Sequence, residues 1–213
     1  MRALYGERFS GEDKFRREMW GLLCREFFQK WVDPSATVLD VAAGTCDFVN
    51  SIDARERIAI DLNPALVDFA GPGVRTIIGK ADDMTDVPDD SVDVVFVSNF
   101  FEHIDRDTIL RVMSEVRRVL RPGGKFLILQ PNVRFCAKDY WMFFDHVTPV
   151  DDRALVEAFN LTGFKLVHLV ERFLPFTAKS RLPQNLTLVR AYLKFPLAWR
   201  VLGAQSFLVA EPV

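Results

Sequence analysis

The sequence predicts an α/β fold, a doubly wound and mostly parallel seven-stranded sheet with helices on both faces. Three observations support this fold class. Short apolar runs alternate with stretches of helical periodicity along most of the 213 residues. The runs lack strict alternation of apolar and polar residues, as expected for strands buried on both faces. The intervening stretches are long enough for the crossover connections that parallel strands need.

Seven apolar runs are predicted to be the strands of this sheet. In chain order they are residues 37–41, 57–61, 74–78, 92–98, 125–130, 165–171 and 206–210. The last two are joined by a long insert and not by one crossover helix, which is typical of an antiparallel closing strand. The predicted architecture is therefore Rossmann-like, with its last strand antiparallel to the others.

An N-terminal helix is predicted to precede the first strand. Apolar residues from Phe15 to Phe27 recur at three- and four-residue spacing, and Pro34 then ends the helical pattern. Residues 1–33 are therefore expected to form a helical cap on the sheet.

Two further helices are predicted between strands. The first has an apolar stripe that runs from Ile109 to Leu120, and the Pro-Gly-Gly sequence at 122–124 is expected to end it. The second covers residues 151–161 and begins with an aspartate cap. Both lie where crossovers between strands are needed.

The insert between the last two strands, residues 173–205, is basic. Its local charge is +5, and the rest of the chain then carries −7. Pro196 is predicted to divide it into two short helices. Large apolar and aromatic residues lie between the charges, a pattern typical of interfacial helices. The cationic residues are Lys179, Arg181, Arg190, Lys194 and Arg200.

The composition predicts one globular domain, with residues 34–172 and 206–213 as its core. Lys and Arg number 27 and Asp and Glu 29, so the net charge is −2 and no nucleic-acid partner is expected. The longest uncharged run, residues 201–210, is too short to span a membrane. The N-terminal stretch lacks the apolar segment of a secretory signal, so a cytoplasmic location is expected.

The three cysteines, Cys24, Cys46 and Cys136, are far apart in the sequence. No CxxC motif and no Cys/His ligand pair is present, so no metal site is predicted. Isolated thiols of this kind are expected to be buried and to lie in a reducing compartment.

The turn after the first strand points to a ligand site. Small residues at 42–46 follow the strand and precede a helix, whose first N–H groups have no partner within the helix. About twenty residues further on, the second strand ends in Asp61. Dinucleotide-binding folds place there the acid that holds the ribose hydroxyls. A tight β–α turn with a solvated aspartate is the alternative interpretation.

Four stretches occur in an order and at spacings that resemble the class I S-adenosylmethionine-dependent methyltransferases. They are VLDVAAGTCDF, IAIDLNP, PDDSVDVVFVSNFFEHI and EVRRVLRPGGKFLILQPN. The resemblance implies S-adenosyl-L-methionine as cofactor and S-adenosyl-L-homocysteine as product. The family's first loop usually carries glycine at three alternate positions, which here are Ala42, Gly44 and Cys46. Cys46 is expected to narrow the methionine end of the pocket.

The resemblance also implies roles around the methionine end of the cofactor. Asp40 would orient the loop and face the methionine moiety. Ala42 and Gly44 would pass close to the cofactor. Asn99, just after the fourth strand, would lie beside the methionine carboxylate or the methyl group.

Around the adenosine end, the resemblance implies four further residues. Asp61 would accept both ribose hydroxyls, and Leu62 would lie against the adenine. Asp82 or Asp83, after the third strand, would accept from the adenine amine. A solvated loop position is the alternative for Asp82, Asp83 and Asn99.

Two of the three histidines are candidates for catalysis on the acceptor side. His146 lies beside Asp145 in an aromatic-rich stretch after the fifth strand, where an imidazole could act as a general base. Capping of the next helix is its structural alternative. His103 follows the fourth strand and either braces the loop or takes part in catalysis. His168 alternates with apolar residues in a strand and is expected to be structural.

The predicted function is S-adenosylmethionine-dependent methyl transfer to a small-molecule or glycan-type acceptor at oxygen. The insert resembles that of a bacterial subset associated with polysaccharide and surface-glycan pathways. Its charge is expected to draw in a phosphate-bearing acceptor or to rest on the inner membrane face. The alternative is a lid or homodimer face that packs on the domain, with the basic residues solvated. Two alternatives are a nicotinamide-dependent reductase, disfavoured by the missing GxGxxG, and a degenerate, non-catalytic partner protein.

Overall fold

The computed structural model describes residues 13–176 and 185–213. Within these, the strands are Thr37–Val41 (β1), Glu56–Asp61 (β2), Val74–Ile78 (β3), Val92–Ser98 (β4), Leu120–Pro131 (β5), Phe164–Val170 (β6) and Gln205–Pro212 (β7). They form one sheet in the order β3-β2-β1-β4-β5-β7-β6. The strands β1 to β5 pair in parallel, and β7 lies antiparallel between β5 and β6. The predicted fold class is confirmed.

Helices cover both faces of this sheet. In the described residues they are Asp13–Glu26 (α1), Asp47–Ser51 (α2), Leu66–Phe69 (α3), Arg106–Val119 (α4), Val133–Tyr140 (α5), Asp152–Leu161 (α6), Leu186–Leu193 (α7) and Pro196–Leu202 (α8). Short 3-10 turns occupy Phe28–Trp31 and Phe101–His103. The helices α3 and α5 were not predicted, whereas the side chain of Asp151 caps α6 by accepting from the Ala154 amide.

The helix α4 ends just before the Pro-Gly-Gly sequence at 122–124, which was expected to end it. The helix ends at Val119, and β5 begins at Leu120. Because a proline disfavours helical backbone at the residue before it, the chain has to leave the helix ahead of Arg121. A Cβ on Gly124 would lie 2.9 Å from the Arg121 carbonyl oxygen, so a glycine is needed where β5 turns to pair with β4.

An aromatic core fixes the N-terminal helix on one face of the sheet. The ring of Trp20 in α1 lies 6.1 Å from the fully buried Phe28 and 6.2 Å from Phe96 of β4, measured between centroids. A second core on the opposite face packs α4 and α6 against the sheet. Burial of one phenylalanine contributes about 1.5–3 kcal/mol. The aromatic packing therefore determines where α1 crosses the sheet.

The isolated thiols and His168 are structural, as expected. All three cysteines are free and buried, and burial raises the pKa of the Cys46 and Cys136 thiols to about 12. His168 lies in β6 with its ring 4.9 Å from that of Trp31, and burial lowers its pKa.

The insert forms two short helices, as predicted, and Pro196 starts the second. The side chain of Asn185 caps the first, α7. Its Arg190 guanidinium lies 3.3 Å from the Glu26 carboxylate of α1. Lys179 and Arg181 lie outside the described residues. Among the described helices, none is both long enough and apolar enough to cross a membrane.

Candidate active site

The loop between β1 and α2 has left-handed backbone at every second residue. The φ angles are +55° at Ala42, +53° at Gly44 and +60° at Cys46. These are the three positions at which the resembled family carries glycine, and glycine adopts this conformation without steric cost. A left-handed alanine or cysteine costs roughly 1–2 kcal/mol. The loop thus keeps the family's backbone shape at the expense of strain at two residues.

Cys46 faces the interior, so it does not narrow the pocket. Its side chain has no exposed surface and packs with Val49, Ala59 and Leu66. The left-handed backbone at this position directs the side chain beneath the loop and away from its open side. The departure from glycine at Cys46 therefore adds no side chain to the cleft.

The carboxylate of Asp61 holds this loop in place. One oxygen accepts from the Gly44 amide at 2.8 Å, and the other accepts from the Asn63 amide at 2.8 Å. Both neighbouring loops are therefore tied to the end of β2. The charge of this carboxylate is held beside the small residues that follow β1, as required of a group that accepts ribose hydroxyls.

A cleft of about 240 Å³ opens at the carboxyl ends of β1 and β4. Five of the predicted residues line it: Asp40, Ala42, Gly44, Asn99 and His103. Asp61 stands behind Gly44 and does not line the cleft. The remaining predicted residues, Leu62, Asp82, Asp83 and His146, also lie outside the lining. The structure thus brings together the methionine-side set, as expected for the switch point of a doubly wound sheet.

The adenosine-side residues surround the neighbouring end of β2 and β3. Leu62 follows Asp61 and is 66% exposed, so its side chain is accessible to a planar ring. The Asp82 carboxylate accepts from the Arg111 side chain at 3.1 Å and is thereby tied to α4. Asp83 is exposed. Of the two aspartates, Asp83 is the better placed to accept from a bound ligand.

Asp40 is a buried acid in the wall of the cleft. Its carboxyl is 3% exposed and accepts from the Val49 amide at 3.3 Å. Burial is the main cause that raises the pKa of Asp40 well above its usual range, and the nearby carboxylates of Asp47 and Asp61 raise it further. A positively charged ligand group in the cleft would stabilise the ionised form of this carboxyl.

The helix α1 also lines the cleft, through Arg16 and Trp20, and the sequence did not predict this contribution. The Arg16 Nε atom lies 3.0 Å from the Asp47 carboxylate at the start of α2. The two residues are four apart, so they share one face of the helix. That spacing was visible in the sequence, but the point at which α1 crosses the sheet is determined by the aromatic core.

His103 and His146 meet beside the cleft, together with Glu102. The two imidazole centroids are 5.0 Å apart, and Nε2 of His103 lies 3.8 Å from the Glu102 carboxylate. The Nδ1 atom of His103 lies 3.1 Å from the Asp145 carbonyl oxygen, which directs a proton to Nδ1 and leaves Nε2 as the basic nitrogen. His146 is buried behind His103 and stacks on Phe143 at 4.9 Å.

Glu102 is the buried acid of this group. It is 1% exposed and accepts from the Gln130 side chain at 2.7 Å. Burial raises the pKa of Glu102, and the His103 imidazole opposes that rise. The ligand atoms of Glu102, His103 and His146 lie within 4.8 Å of one another, close enough for a shared proton network or for one divalent cation. No metal site was expected from the sequence.

Comparison with known proteins finds similarity to methyltransferases. Residues 39–128, from β1 to β5, match the model of a methyltransferase domain. Malonyl-[acyl-carrier protein] O-methyltransferase of Methylococcus capsulatus is 32% identical over 102 residues, 43% of this chain and 36% of that protein. Demethylmenaquinone methyltransferase of Symbiobacterium thermophilum is 28% identical over 156 residues, 65% of this chain and 61% of its own length. The chain thus spans between a third and two thirds of these relatives.

Solved structures show the same fold. A S-adenosylmethionine-dependent methyltransferase from Archaeoglobus fulgidus aligns with a TM-score of 0.68 at 20% identity, covering 94% of this chain and 97% of that one. Geranyl diphosphate C-methyltransferase from Streptomyces coelicolor aligns at 0.62 and 17% identity, with 89% and 78% covered. These structures share the Rossmann-like fold that the sequence predicts.

The strained loop predicts that Ala42→Gly stabilises the fold. Glycine relieves about 1–2 kcal/mol of left-handed strain. Its greater freedom in the unfolded chain lowers the free energy of unfolding by roughly 0.5–1 kcal/mol. We expect a net gain of up to about 1.5 kcal/mol in the free energy of unfolding in urea. Ala158→Gly in α6 is the matched control and should lose stability. A loss of similar size in both variants would contradict the assignment of strain.

The buried Asp40 predicts a pH-dependent gain in stability for Asp40→Asn. Because the folded-state pKa is raised, the wild type loses stability as the pH rises above the ordinary carboxyl pKa of about 3.9. Asparagine does not titrate, so the variant's melting temperature should exceed that of the wild type at pH 8, and the difference should shrink toward pH 5. Asp68→Asn, at an exposed carboxyl, should show no such trend. A difference independent of pH would refute the burial argument.

Proposed function

We propose that this class I methyltransferase domain binds S-adenosyl-L-methionine in the cleft and transfers its methyl group to a small-molecule or glycan-type acceptor, at oxygen. The observation that carries the proposal is the loop at 42–46, which has left-handed backbone at the family's glycine positions and is tied to Asp61. When bound, the cofactor supplies a methyl group on a positively charged sulfur and the leaving group for its transfer. The residues of the chain bind the cofactor, orient the acceptor and remove its proton.

The adenosine part would lie against the end of β2. Asp61 would accept the ribose hydroxyls with the lone pairs that its two amide donors leave available. Leu62 would cover one face of the adenine, and Asp83 would accept from the adenine amine. This arrangement keeps the negative charge of Asp61 where hydroxyl donors approach.

The methionine part would lie between β1 and α1. Arg16 is the cation in the cleft wall that suits a carboxylate, since its guanidinium is planar and always charged. Asp40 would face the positively charged amino group, and Asn99 would lie beside the same moiety. Opposite charges on the two sides of the cleft would thus match the zwitterionic end of the cofactor.

His103 is the proposed general base. It lines the cleft, whereas His146 lies behind it, so the more direct contact with an acceptor belongs to His103. The contact with the Asp145 carbonyl oxygen orients the imidazole with its Nε2 atom toward Glu102. His146 is a positioning residue that supports the His103 ring. From the sequence, His146 was the first candidate for the general base; here that role is assigned to His103.

The acceptor class rests on the chemistry of this side of the cleft. An imidazole base suits a hydroxyl group, whose proton has to leave as the oxygen is methylated. The relatives named above are O- and C-methyltransferases of unlike acceptors, so their names do not favour one acceptor for this chain. Nucleotide sugars and lipid-linked sugars are the acceptors to screen first.

Calorimetry with two ligands separates the proposed contacts. Asp61→Ala should weaken both S-adenosylhomocysteine and 5′-methylthioadenosine, because both carry the ribose. Hydrogen bonds to a charged group contribute about 1.5–3 kcal/mol, or roughly 10- to 150-fold in affinity. Arg16→Ala should weaken S-adenosylhomocysteine by about tenfold or more and leave methylthioadenosine unchanged, since only the former has the carboxylate.

The outcome that rejects the cofactor site is an unchanged dissociation constant for Asp61→Ala. Some loss of stability is expected in this variant, because Gly44 and Asn63 lose an acceptor. The affinity therefore has to be measured well below the melting temperature. Equal effects of Arg16→Ala on both ligands would place Arg16 in a structural role.

Turnover distinguishes the two histidines. His103→Ala should lower kcat by about 10²–10⁴-fold and change the dissociation constant of S-adenosylhomocysteine little. His146→Phe keeps a ring against Phe143 and should fold, with a smaller loss of kcat. Production of S-adenosylhomocysteine from each candidate acceptor is the measurement.

A chelator tests whether Glu102, His103 and His146 bind a divalent cation and do not act by proton transfer. If EDTA leaves kcat unchanged, proton transfer accounts for the role of Glu102, His103 and His146. If EDTA abolishes turnover and a divalent cation restores it, the general-base assignment is wrong. If His103→Ala keeps near-full turnover, the acceptor side of the cleft contributes to catalysis only by positioning the acceptor.

A further inference from the structure

One side of the molecule exposes an unusual number of large apolar side chains. They belong to two segments: the loop after α5 and the insert helices α7 and α8. We call this surface the apolar rim, and it consists of Trp141, Met142, Phe144, Val147, Leu188, Phe195, Leu197, Val201 and Leu202, each between 49% and 98% exposed. Contiguous exposed apolar surface marks an interaction site more often than scattered single residues do.

Contacts between neighbouring residues hold the two segments of the rim close to each other. The Arg172 side chain donates to the Val201 and Gly203 carbonyl oxygens at the end of α8 and lies 4.6 Å from the Phe135 ring of α5. The Phe143 ring lies 5.8 Å from that of Phe176, where the insert begins. The end of α8 is therefore packed beside α5, from which the exposed loop continues.

The rim borders the acceptor side of the cleft. Its loop includes His146 and Asp145, and Asp145 contacts the His103 imidazole through both its carbonyl and carboxylate oxygens. The single acidic residue of the loop segment 141–147 is thus directed toward His103. The exposed tip of this loop is Phe144, with 98% of its side-chain surface accessible.

The charge of the rim is positive. Residues 185–205 contain Arg190, Lys194 and Arg200 and no acidic residue. Arg190 is paired with Glu26 of α1. Lys194 and Arg200 have no ion pair among the described residues, and they alternate along the chain with Phe195, Leu197 and Val201.

We propose that the apolar rim docks on an anionic lipid bilayer surface. Aromatic and aliphatic side chains would enter the headgroup region, and Lys194 and Arg200 would face the lipid phosphates. Each cation near an anionic leaflet strengthens binding by about fivefold. The acceptor side of the cleft would then open beside the bilayer, where a membrane-anchored acceptor is within reach; that consequence rests on the proposed function, whereas the docking does not.

Charge argues against two other occupants of the rim, a second copy of this chain and a different protein. In a symmetric dimer the same surface meets itself, and a surface with cations and no acids in its helices repels its own copy. Protein interfaces are also depleted of lysine at their centres, whereas Lys194 lies between apolar side chains of α7 and α8. A bilayer surface accommodates both the apolar side chains and the cations.

Vesicle co-sedimentation tests the docking on the whole chain. Vesicles of phosphatidylcholine with one quarter phosphatidylglycerol should bind the protein at low salt, and pure phosphatidylcholine should bind at least tenfold less. Binding should fall steeply at high salt, because screening shortens the range of the cations. Phe195→Glu with Leu197→Glu, and separately Lys194→Gln with Arg200→Gln, should each reduce binding at least tenfold.

Leu161→Glu is the matched control. Leu161 is 69% exposed at the end of α6, on the opposite face of the sheet, so this variant should bind vesicles as the wild type does. Calorimetry with S-adenosylhomocysteine should give the wild-type dissociation constant for every variant, which verifies the fold. If the cofactor site itself has been misassigned, near-ultraviolet circular dichroism verifies the fold instead and the vesicle result still decides the docking.

Three results overturn the proposal. The first is that the wild-type protein does not bind anionic vesicles, and the second is that both double variants bind them as the wild type does. The third is a dimer of the wild-type protein in solution that Phe195→Glu with Leu197→Glu converts to monomers, since the rim would then be a subunit interface.

Discussion

The hydrogen bonds accepted by the Asp61 carboxylate are the interactions on which the site depends. They link the end of β2 to the loops at Gly44 and Asn63. The loop after β1 has left-handed backbone at three alternate residues, two of which are not glycine. Such a backbone persists only where surrounding contacts determine it. A carboxylate between two amide donors supplies that constraint and leaves its charge at the cleft edge.

Two buried carboxyls give the cleft its electrostatic character. Asp40 lies in the wall near β1, and Glu102 lies beside the two imidazoles. Burial raises the pKa of both. A buried acid is unfavourable when ionised and unpaired, but it becomes an attractive partner for a cation that enters the same low-dielectric space. The site is thus suited to a ligand that brings positive charge with it.

The strands were predictable because β-strands buried on both faces appear as local apolar runs, and all seven were found. The helix α3 has four residues, and α5 is kinked at Cys136, so neither shows a sustained helical period. The left-handed backbone at Ala42 could not be derived from alanine itself and was visible only through the family's glycines. Arg16 needed tertiary information, since the packing of α1 on the sheet brings it to the cleft. The sequence therefore predicted residues of the two loops after β1 and β4 and the presence of the N-terminal helix, but not that this helix lines the cleft.

The helix α1 lies outside the residues that match the family model, yet it supplies Arg16 and Trp20 to the cleft wall. A ligand held between this helix and the sheet stabilises only those states in which the helix is docked. Local opening of α1 and ligand release are therefore linked equilibria. Amide hydrogens of α1 and of the aromatic core beneath it should exchange more slowly when the cleft is filled. Divergence at the N-terminal segment would then tune the residence time of the ligand without any change in the loops after β1 and β4.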